Sequence, residues 1–182
     1  MRVIAGSARG RKLTAPKGMG VRPTAGRMKE DLFNILAARV PGARFLDVFS
    51  GSGAIGIEAL SRGAQSAVFV DKDCALLDKN LALTGFTAQA TVIKDDFTAA
   101  MSKMSEKHLE FDLIFMDPPY YKGLVPPAAQ LISRLGLLGP GGVLAAELAS
   151  DEAQPLIDDL SLYKVKRYSS SVFFFYQRGF EE

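Results

Sequence analysis

The sequence predicts an α/β fold built on a mostly parallel seven-stranded sheet with helices on both faces. Three observations predict it. From residue 44 onward, short apolar runs alternate with segments of helical period, which is the pattern of repeated β-α units. A Gly-rich turn, Gly51-Ser52-Gly53-Ala54-Ile55-Gly56, follows the first run and opens a helix. The last two runs follow each other with only Ser169-Ser170-Ser171 between them, so they form an antiparallel pair.

The elements follow in order. Arg2–Ala5 and Arg11–Thr14 are strand-like, and Gly6–Gly10 between them is a hairpin loop. Lys17–Gly20 is a link, after which Arg22-Pro23-Thr24 opens a helix with Thr24 as N-cap. Met28, Leu32, Ile35 and Leu36 give that helix one apolar face. Strands are expected at Arg44–Val48, Ser66–Asp71, Gln89–Lys94, Asp112–Met116 and Val143–Leu148, then at Leu162–Tyr168 and Val172–Arg178. Helices are expected from about Ala54, across Asp73–Leu83, near Phe97–Lys103, near Ala128–Leu135, and at Asp151–Asp159. Gly139–Gly142 reads as a turn. We divide the chain into a basic hairpin extension, residues 1–21, and an α/β domain, residues 22–182.

A chain of 182 residues, 48% hydrophobic and 23% charged, buries a core without disulfides or metals. No apolar run has the length of a membrane span, and the N-terminus has no secretory apolar region. Cys74 is the single cysteine, so no intramolecular disulfide forms, and a cytoplasmic protein is expected. Cys74 beside Ala75 and Leu76 reads as a packing residue. The net charge of +2 conceals an asymmetry: residues 1–44 hold ten Lys or Arg against Glu30 and Asp31, a net +8, which leaves −6 for the rest. A basic arm on a mildly acidic body suggests a polyanionic partner. A solvated basic terminus would show the same composition.

Three motifs carry chemistry. In the first, Asp47 to Gly56, glycines let backbone approach a ligand, and Asp71 lies 20 residues after Gly51 at the end of the next strand, where an acid binds ribose hydroxyls. Asp47 ends its strand where a dinucleotide would place its pyrophosphate, and a carboxylate there repels phosphate. It suits S-adenosylmethionine, which carries ammonium and sulfonium charges and no phosphate. The same glycines would also serve tight strand–helix packing. In the second, Asp95-Asp96-Phe97, Asp96 suits an adenine amino group with Phe97 over the ring, and suits a helix N-cap equally well.

The third, Asp117-Pro118-Pro119-Tyr120, directly follows the strand Leu113–Met116. Two prolines remove two N–H donors and fix the backbone, leaving carbonyls to accept hydrogen bonds. Asp117 with the Pro118 carbonyl grips both hydrogens of an –NH₂ group and favours a pyramidal nitrogen whose lone pair points at a methyl donor. Tyr120 offers a face for stacking a base, worth about 1–3 kcal/mol. His108 lies in a polar run and reads as solvated, and Phe173–Tyr176 reads as a core strand. No metal-ligand cluster stands out, and no metal is expected.

With these residues assembled, the chain resembles the bacterial 16S rRNA (guanine-N2) methyltransferase D family over nearly its whole length. Met1–Gly6 through Arg9-Gly10-Arg11 resembles that family's N-terminal hairpin. Arg22-Pro23-Thr24 with Arg27, Glu30, Leu32, Phe33, Asn34 and Leu36 resembles its helix signature. Asp47 to Gly56, Asp71, Asp96 and Asp117–Tyr120 match its remaining motifs in order. The resemblance implies a Rossmann-like class I S-adenosylmethionine methyltransferase with a small hairpin extension, acting on one guanine of 16S ribosomal RNA in an assembled or nearly assembled small subunit. By position it assigns Asp47, Gly51 and Gly53 to the methionine part of the cofactor, Asp71 to the ribose, and Asp96 with Phe97 to the adenine. Asp117, Pro118, Pro119 and Tyr120 are then the catalytic residues, and Arg9, Arg11, Lys12 and Arg22 the RNA contacts. A monomer with no membrane attachment is expected. Gly26 departs from the pattern, since the family usually has an acid between Thr24 and Arg27.

Three other readings use parts of the same sequence. A DNA adenine-N6 or cytosine-N4 methyltransferase shares the four-residue site but usually needs a target-recognition region. A nicotinamide oxidoreductase explains the glycines but not Asp47 or Asp117–Tyr120. A non-catalytic RNA-binding module explains the basic arm alone.

Overall fold

A computed structural model describes residues 1–15 and 23–179, with the side chains of residues 23–25 left aside. The Lys17–Gly20 link, Arg22 and the 21/22 boundary lie outside the described residues. Seven strands form one sheet: β1 (Arg44–Val48), β2 (Ser66–Asp71), β3 (Ala90–Lys94), β4 (Phe111–Met116), β5 (Leu138–Ala149), β6 (Leu160–Arg167) and β7 (Ser171–Arg178). The helices are α1 (Pro23–Leu36), α2 (Ala54–Ser61), α3 (Ala75–Thr84), α4 (Phe97–Glu106) and α5 (Val125–Arg134). The strand order is β3-β2-β1-β4-β5-β7-β6, parallel from β3 to β5, with β7 antiparallel to both its neighbours. This is the expected architecture of a Rossmann-like methyltransferase.

Alternation along the strands sorts the core into two layers. Phe45, Phe69, Leu113, Phe115, Ala145, Phe173 and Phe175 face α1, α2 and α3. Leu46, Val48, Ile114, Met116, Leu144, Phe174 and Tyr176 face α4 and α5. Both faces are therefore covered by helices, which is what a parallel sheet requires. Cys74 is buried in the first layer, as its apolar neighbours suggested. His108 is exposed.

The N-terminal segment docks on the first layer through Val3, Ala8 and Leu13. Its two strands reduce to a single antiparallel bridge, Arg2 to Lys12. The reason is a competing acceptor. Glu58, fully buried on α2, takes the backbone N–H groups of Ile4 at 2.8 Å and Ala5 at 2.9 Å. Lys29 from α1 at 3.0 Å and Arg62 at 2.9 Å balance its charge. Gly6 passes so close to α2 that a Cβ there would lie 1.7 Å from the Ser61 carbonyl oxygen. Only glycine fits that approach, and Ser7 N–H donates to the same oxygen.

Other boundaries differ for local reasons. α1 begins at Pro23, so Thr24 lies inside its first turn and is not the N-cap; proline's fixed φ and missing N–H suit the first helical position. No helix spans Asp151–Asp159: the chain turns at Ser150–Glu152 and runs irregularly to Asp159. Pro155 cannot supply a helical N–H, and its carbonyl instead accepts the Tyr176 hydroxyl at 2.6 Å. Gly139–Gly142 is not a separate turn. β5 runs through it, with an irregular register against β4 between Phe111 and Leu113. Among the described residues no helix is long and apolar enough to cross a membrane.

Candidate active site

The sheet order decides where the motifs meet. From β1 the chain steps outward to β2 and β3, then crosses back to add β4 on the other side of β1. The carboxyl ends of β1 and β4 therefore flank the topological switch point, where open α/β sheets bind ligands. The turn after β1 carries the Gly-rich motif, and the turn after β4 carries Asp117-Pro118-Pro119-Tyr120.

Asp47 is 2% exposed, and its Oδ2 accepts the Gly56 N–H at 2.9 Å. Burial raises its carboxyl to about 7; the Gly56 bond opposes that rise and Asp71 adds to it. The turn above it is held from several sides. Ser50 N–H donates to the Val70 carbonyl, and Gly53 N–H to the Ser50 carbonyl. Asn80, fully buried on α3, donates to the Ser52 carbonyl at 2.8 Å. The same amide accepts from Thr14 N–H at 2.7 Å and donates to Thr14 O at 2.9 Å, so the N-terminal segment reaches this turn. Gly53 has φ +76°, and a Cβ there would lie 2.3 Å from Leu77 Cδ1. That close approach lets the turn pack directly against Leu77 of α3.

Asp71 sits at the end of β2 beside the turn. Its Oδ2 accepts Gly51 N–H at 2.7 Å, and its Oδ1 accepts Asp73 N–H at 3.1 Å. Asp96 N-caps α4, its Oδ1 accepting from Thr98 at 2.9 Å and Ala99 at 3.1 Å. The capping reading thus holds, and Oδ2 makes neither bond. Phe97 packs on Phe49 from the Gly-rich turn, ring centroids 5.4 Å apart, which brings the second motif to the first.

Asp117 keeps exposed surface, yet surrounding protein desolvates its carboxyl. Burial, with Glu147 and Asp47 nearby, raises its carboxyl well above the usual range. Pro118 is buried and Pro119 exposed. The Tyr120 hydroxyl donates to Glu147 Oε1 at 2.5 Å, and burial together with this carboxylate raises the phenol. Tyr121, 68% exposed with φ +58°, is tied through its hydroxyl to Asp151 at 3.0 Å and through its N–H to Glu152 at 3.3 Å. The two tyrosine rings stand nearly perpendicular, 87° apart.

Sequence reasoning missed Glu147. Its signal was a lone charged residue in the otherwise apolar run Val143–Ala149. Reasoning also missed Glu58 and Asn80, whose partners lie more than 50 residues away or across the layer. The basic arm is not part of this cluster. Residues 5–8 dock at Ser61, the far end of α2, and eight helical residues span about 12 Å. Arg9, Arg11 and Lys12 are exposed, with Arg11 Nη1 donating to the Leu83 carbonyl of α3 at 3.1 Å. At Gly26 no atom of the described residues lies within 4 Å of a Cβ position.

Residues 1–177 match the family model described as Conserved hypothetical protein 95. Ribosomal RNA small subunit methyltransferase D of Escherichia coli is 37% identical over 98% of this chain and 90% of its own. The chain belongs to this family. A solved Escherichia coli structure assigned as the methyltransferase yhhF is 36% identical, with a TM-score of 0.86 over 100% of this chain and 99% of that one. At 17% identity and a TM-score of 0.64, the methyltransferase SMU.776 complexed with SAH covers 83% of this chain and 48% of that one, and shows the shared fold alone. Family membership makes the chain a methyltransferase and sets aside the nicotinamide and non-catalytic readings.

Proposed function

We propose that this methyltransferase moves the methyl group of S-adenosylmethionine to the exocyclic N2 amine of a guanine in 16S ribosomal RNA of the small subunit. The observation that carries the reading is the meeting of Asp47 and its Gly-rich turn with Asp117–Tyr120 at the β1/β4 switch point. The small-subunit RNA substrate is drawn from the name of the Escherichia coli relative. The residues present suit the donor. Among the described residues, the buried Asp47 carboxylate has no cationic partner and the buried Ser50 hydroxyl has no hydrogen-bond partner. A ligand with an ammonium group and several acceptors satisfies both.

Bound S-adenosylmethionine supplies an electrophilic methyl group. In this reading Asp47, Gly51 and Gly53 hold its methionine part, Asp71 its ribose, and Asp96 Oδ2 with Phe97 its adenine. Asp117 and the Pro118 carbonyl accept the two amine hydrogens, and Pro119 stiffens the turn. Tyr120 stacks on the base, which leaves its own stack to enter. The raised Asp117 carboxyl is matched to take the proton that the nitrogen sheds. No covalent enzyme intermediate is needed, because orientation of the reactants carries the rate. Labelled S-adenosylmethionine incubated with small subunits from a strain lacking this protein tests the assignment. Label mapped to N2-methylguanosine in 16S RNA supports it, and label in another nucleoside removes it.

The Asp47 carboxyl gives a pH prediction. Its folded value, about 7, lies above the unfolded one, so its contribution to stability is present at low pH and lost as pH rises through 7. A cationic ligand needs the carboxylate and offsets that loss. The rise in Tm produced by S-adenosylmethionine should therefore grow between about pH 6 and pH 8 in the wild type and stay flat in Asp47→Asn. A pH-independent rise in the wild type would take Asp47 out of contact with the ligand's cation.

The arm gives another. Arg9→Ala, Arg11→Ala and Lys12→Ala together should weaken binding to small subunits and flatten its salt dependence by roughly one log–log unit per lost phosphate contact. Affinity for S-adenosylmethionine should hold, since all three side chains are exposed, and Arg11 is turned onto the Leu83 carbonyl of α3. Superimposable filter-binding curves across a salt series would leave the arm as a solvated surface.

A further inference from the structure

Glu147 stands where it can read the substrate base. On the paired strands Met116 lies opposite Ala146, so Asp117 and Glu147 occupy the next matching position. Adjacent strands lie about 4.8 Å apart, and residues at matching positions project to the same face. That face is the α1–α3 side, shared with Asp47. Glu147 is flanked on its strand by buried Ala146 and Leu148, so its charge has no structural reason to be there beyond its partners. The buried Ser171 hydroxyl bonds the carboxylate, and Oε1 receives the Tyr120 hydroxyl at 2.5 Å beside the Asp-Pro-Pro-Tyr turn. Oε2 takes no part in that bond.

An ionised carboxylate offers only acceptors. The exocyclic amine of guanine is flanked by the N1–H donor. The amines of adenine and cytosine are each flanked by a bare ring nitrogen, which is an acceptor. An acceptor placed beside the amine-holding Asp117 therefore completes a row of hydrogen bonds with guanine and meets a lone pair in the other two bases. Resting on the guanine-N2 reading above, we propose that Glu147 Oε2 accepts the N1–H of the target guanine, making Glu147 the residue that selects guanine over other amino-bearing bases.

The test uses small subunits reconstituted with 16S RNA bearing either guanine or 2,6-diaminopurine at the methylated position. Diaminopurine keeps the amine at C2 but has an acceptor at N1. At pH 8 the wild type should prefer guanine by about a hundredfold or more, as sites built around a donor–acceptor match do. Glu147→Gln, whose amide can donate to N1, should lose rate on guanine, gain it on diaminopurine, and shrink the preference by about tenfold or more. The preference is a ratio within one protein, so partial loss of folded enzyme cancels. Glu147→Asp, which keeps the carboxylate, should retain the preference at a lower rate. Tyr120→Phe removes the hydroxyl bond and should slow both substrates alike. An unchanged preference in Glu147→Gln, or the same collapse in Tyr120→Phe, would overturn the proposal while leaving guanine as the substrate. Wild-type methylation of no guanine at N2 would instead be the failure of the underlying reading.

Discussion

Asp117→Ala loses methyl transfer by about a hundredfold to a thousandfold or more, the range seen when a hydrogen-bonding group aimed at the reacting atoms is deleted. S-adenosylmethionine affinity stays within a few-fold. The two readouts separate because Asp117 follows β4, whereas Asp47 lies in β1 and the glycines assigned to the donor follow it. A modest gain in donor affinity would also fit, since removing one carboxylate relieves its repulsion with Asp47 and Glu147. Single-turnover transfer with saturating donor, beside calorimetric titration of the donor, gives both numbers. A variant that still transfers methyl at the wild-type rate would end the assignment of Asp117 to the amine.

Glu58→Ala destabilises the fold by about 3–5 kcal/mol, the cost of leaving a buried charge unpaired. In a chain of this length that lowers Tm by roughly 10 °C. Glu58 is fully buried and meets Lys29, Arg62 and two backbone N–H groups of the N-terminal segment. Burial already pulls the Lys29 ammonium below its usual range, and Glu58 is the main opposing influence. Without it, Lys29 is a desolvated cation beside Arg62. Adding Lys29→Met should restore part of the loss, because both buried charges are then gone while the Ile4 and Ala5 N–H groups stay unsatisfied. A Tm within about 2 °C of wild type for Glu58→Ala would mean that water replaces the carboxylate and that the node holds little.

The parts of the fold that sequence made legible are those with a strict local period. β1, β2, β4 and β7 are near-continuous apolar runs because helices cover both faces, and their expected limits lie within one residue of the observed ones. The switch-point site was legible because its two motifs each directly follow such a strand. What escaped depends on distant partners. The N-terminal strands looked complete, but the Ile4 and Ala5 N–H groups go to Glu58, more than 50 residues along the chain. Asp151–Asp159 has helix-compatible residues on either side of Pro155, yet the Tyr176 hydroxyl and the Tyr121 contacts fix it in an irregular path. Glu147 is one residue in an apolar strand, and only the register of β4 against β5 shows what it stands beside.

Asn80 spends one carboxamide on two distant pieces of chain: its oxygen and one hydrogen clasp Thr14, and its other hydrogen clasps Ser52. Peeling the N-terminal segment away would strip a fully buried amide of two of its three bonds and expose the apolar seat of Val3, Ala8 and Leu13. Such an opening has no cheap partial form, since every step leaves a polar group stranded. In amide exchange the Thr14, Ile4 and Ala5 hydrogens therefore share one opening event with the glycine turn, so the basic arm melts with the catalytic floor and does not fray as a tail.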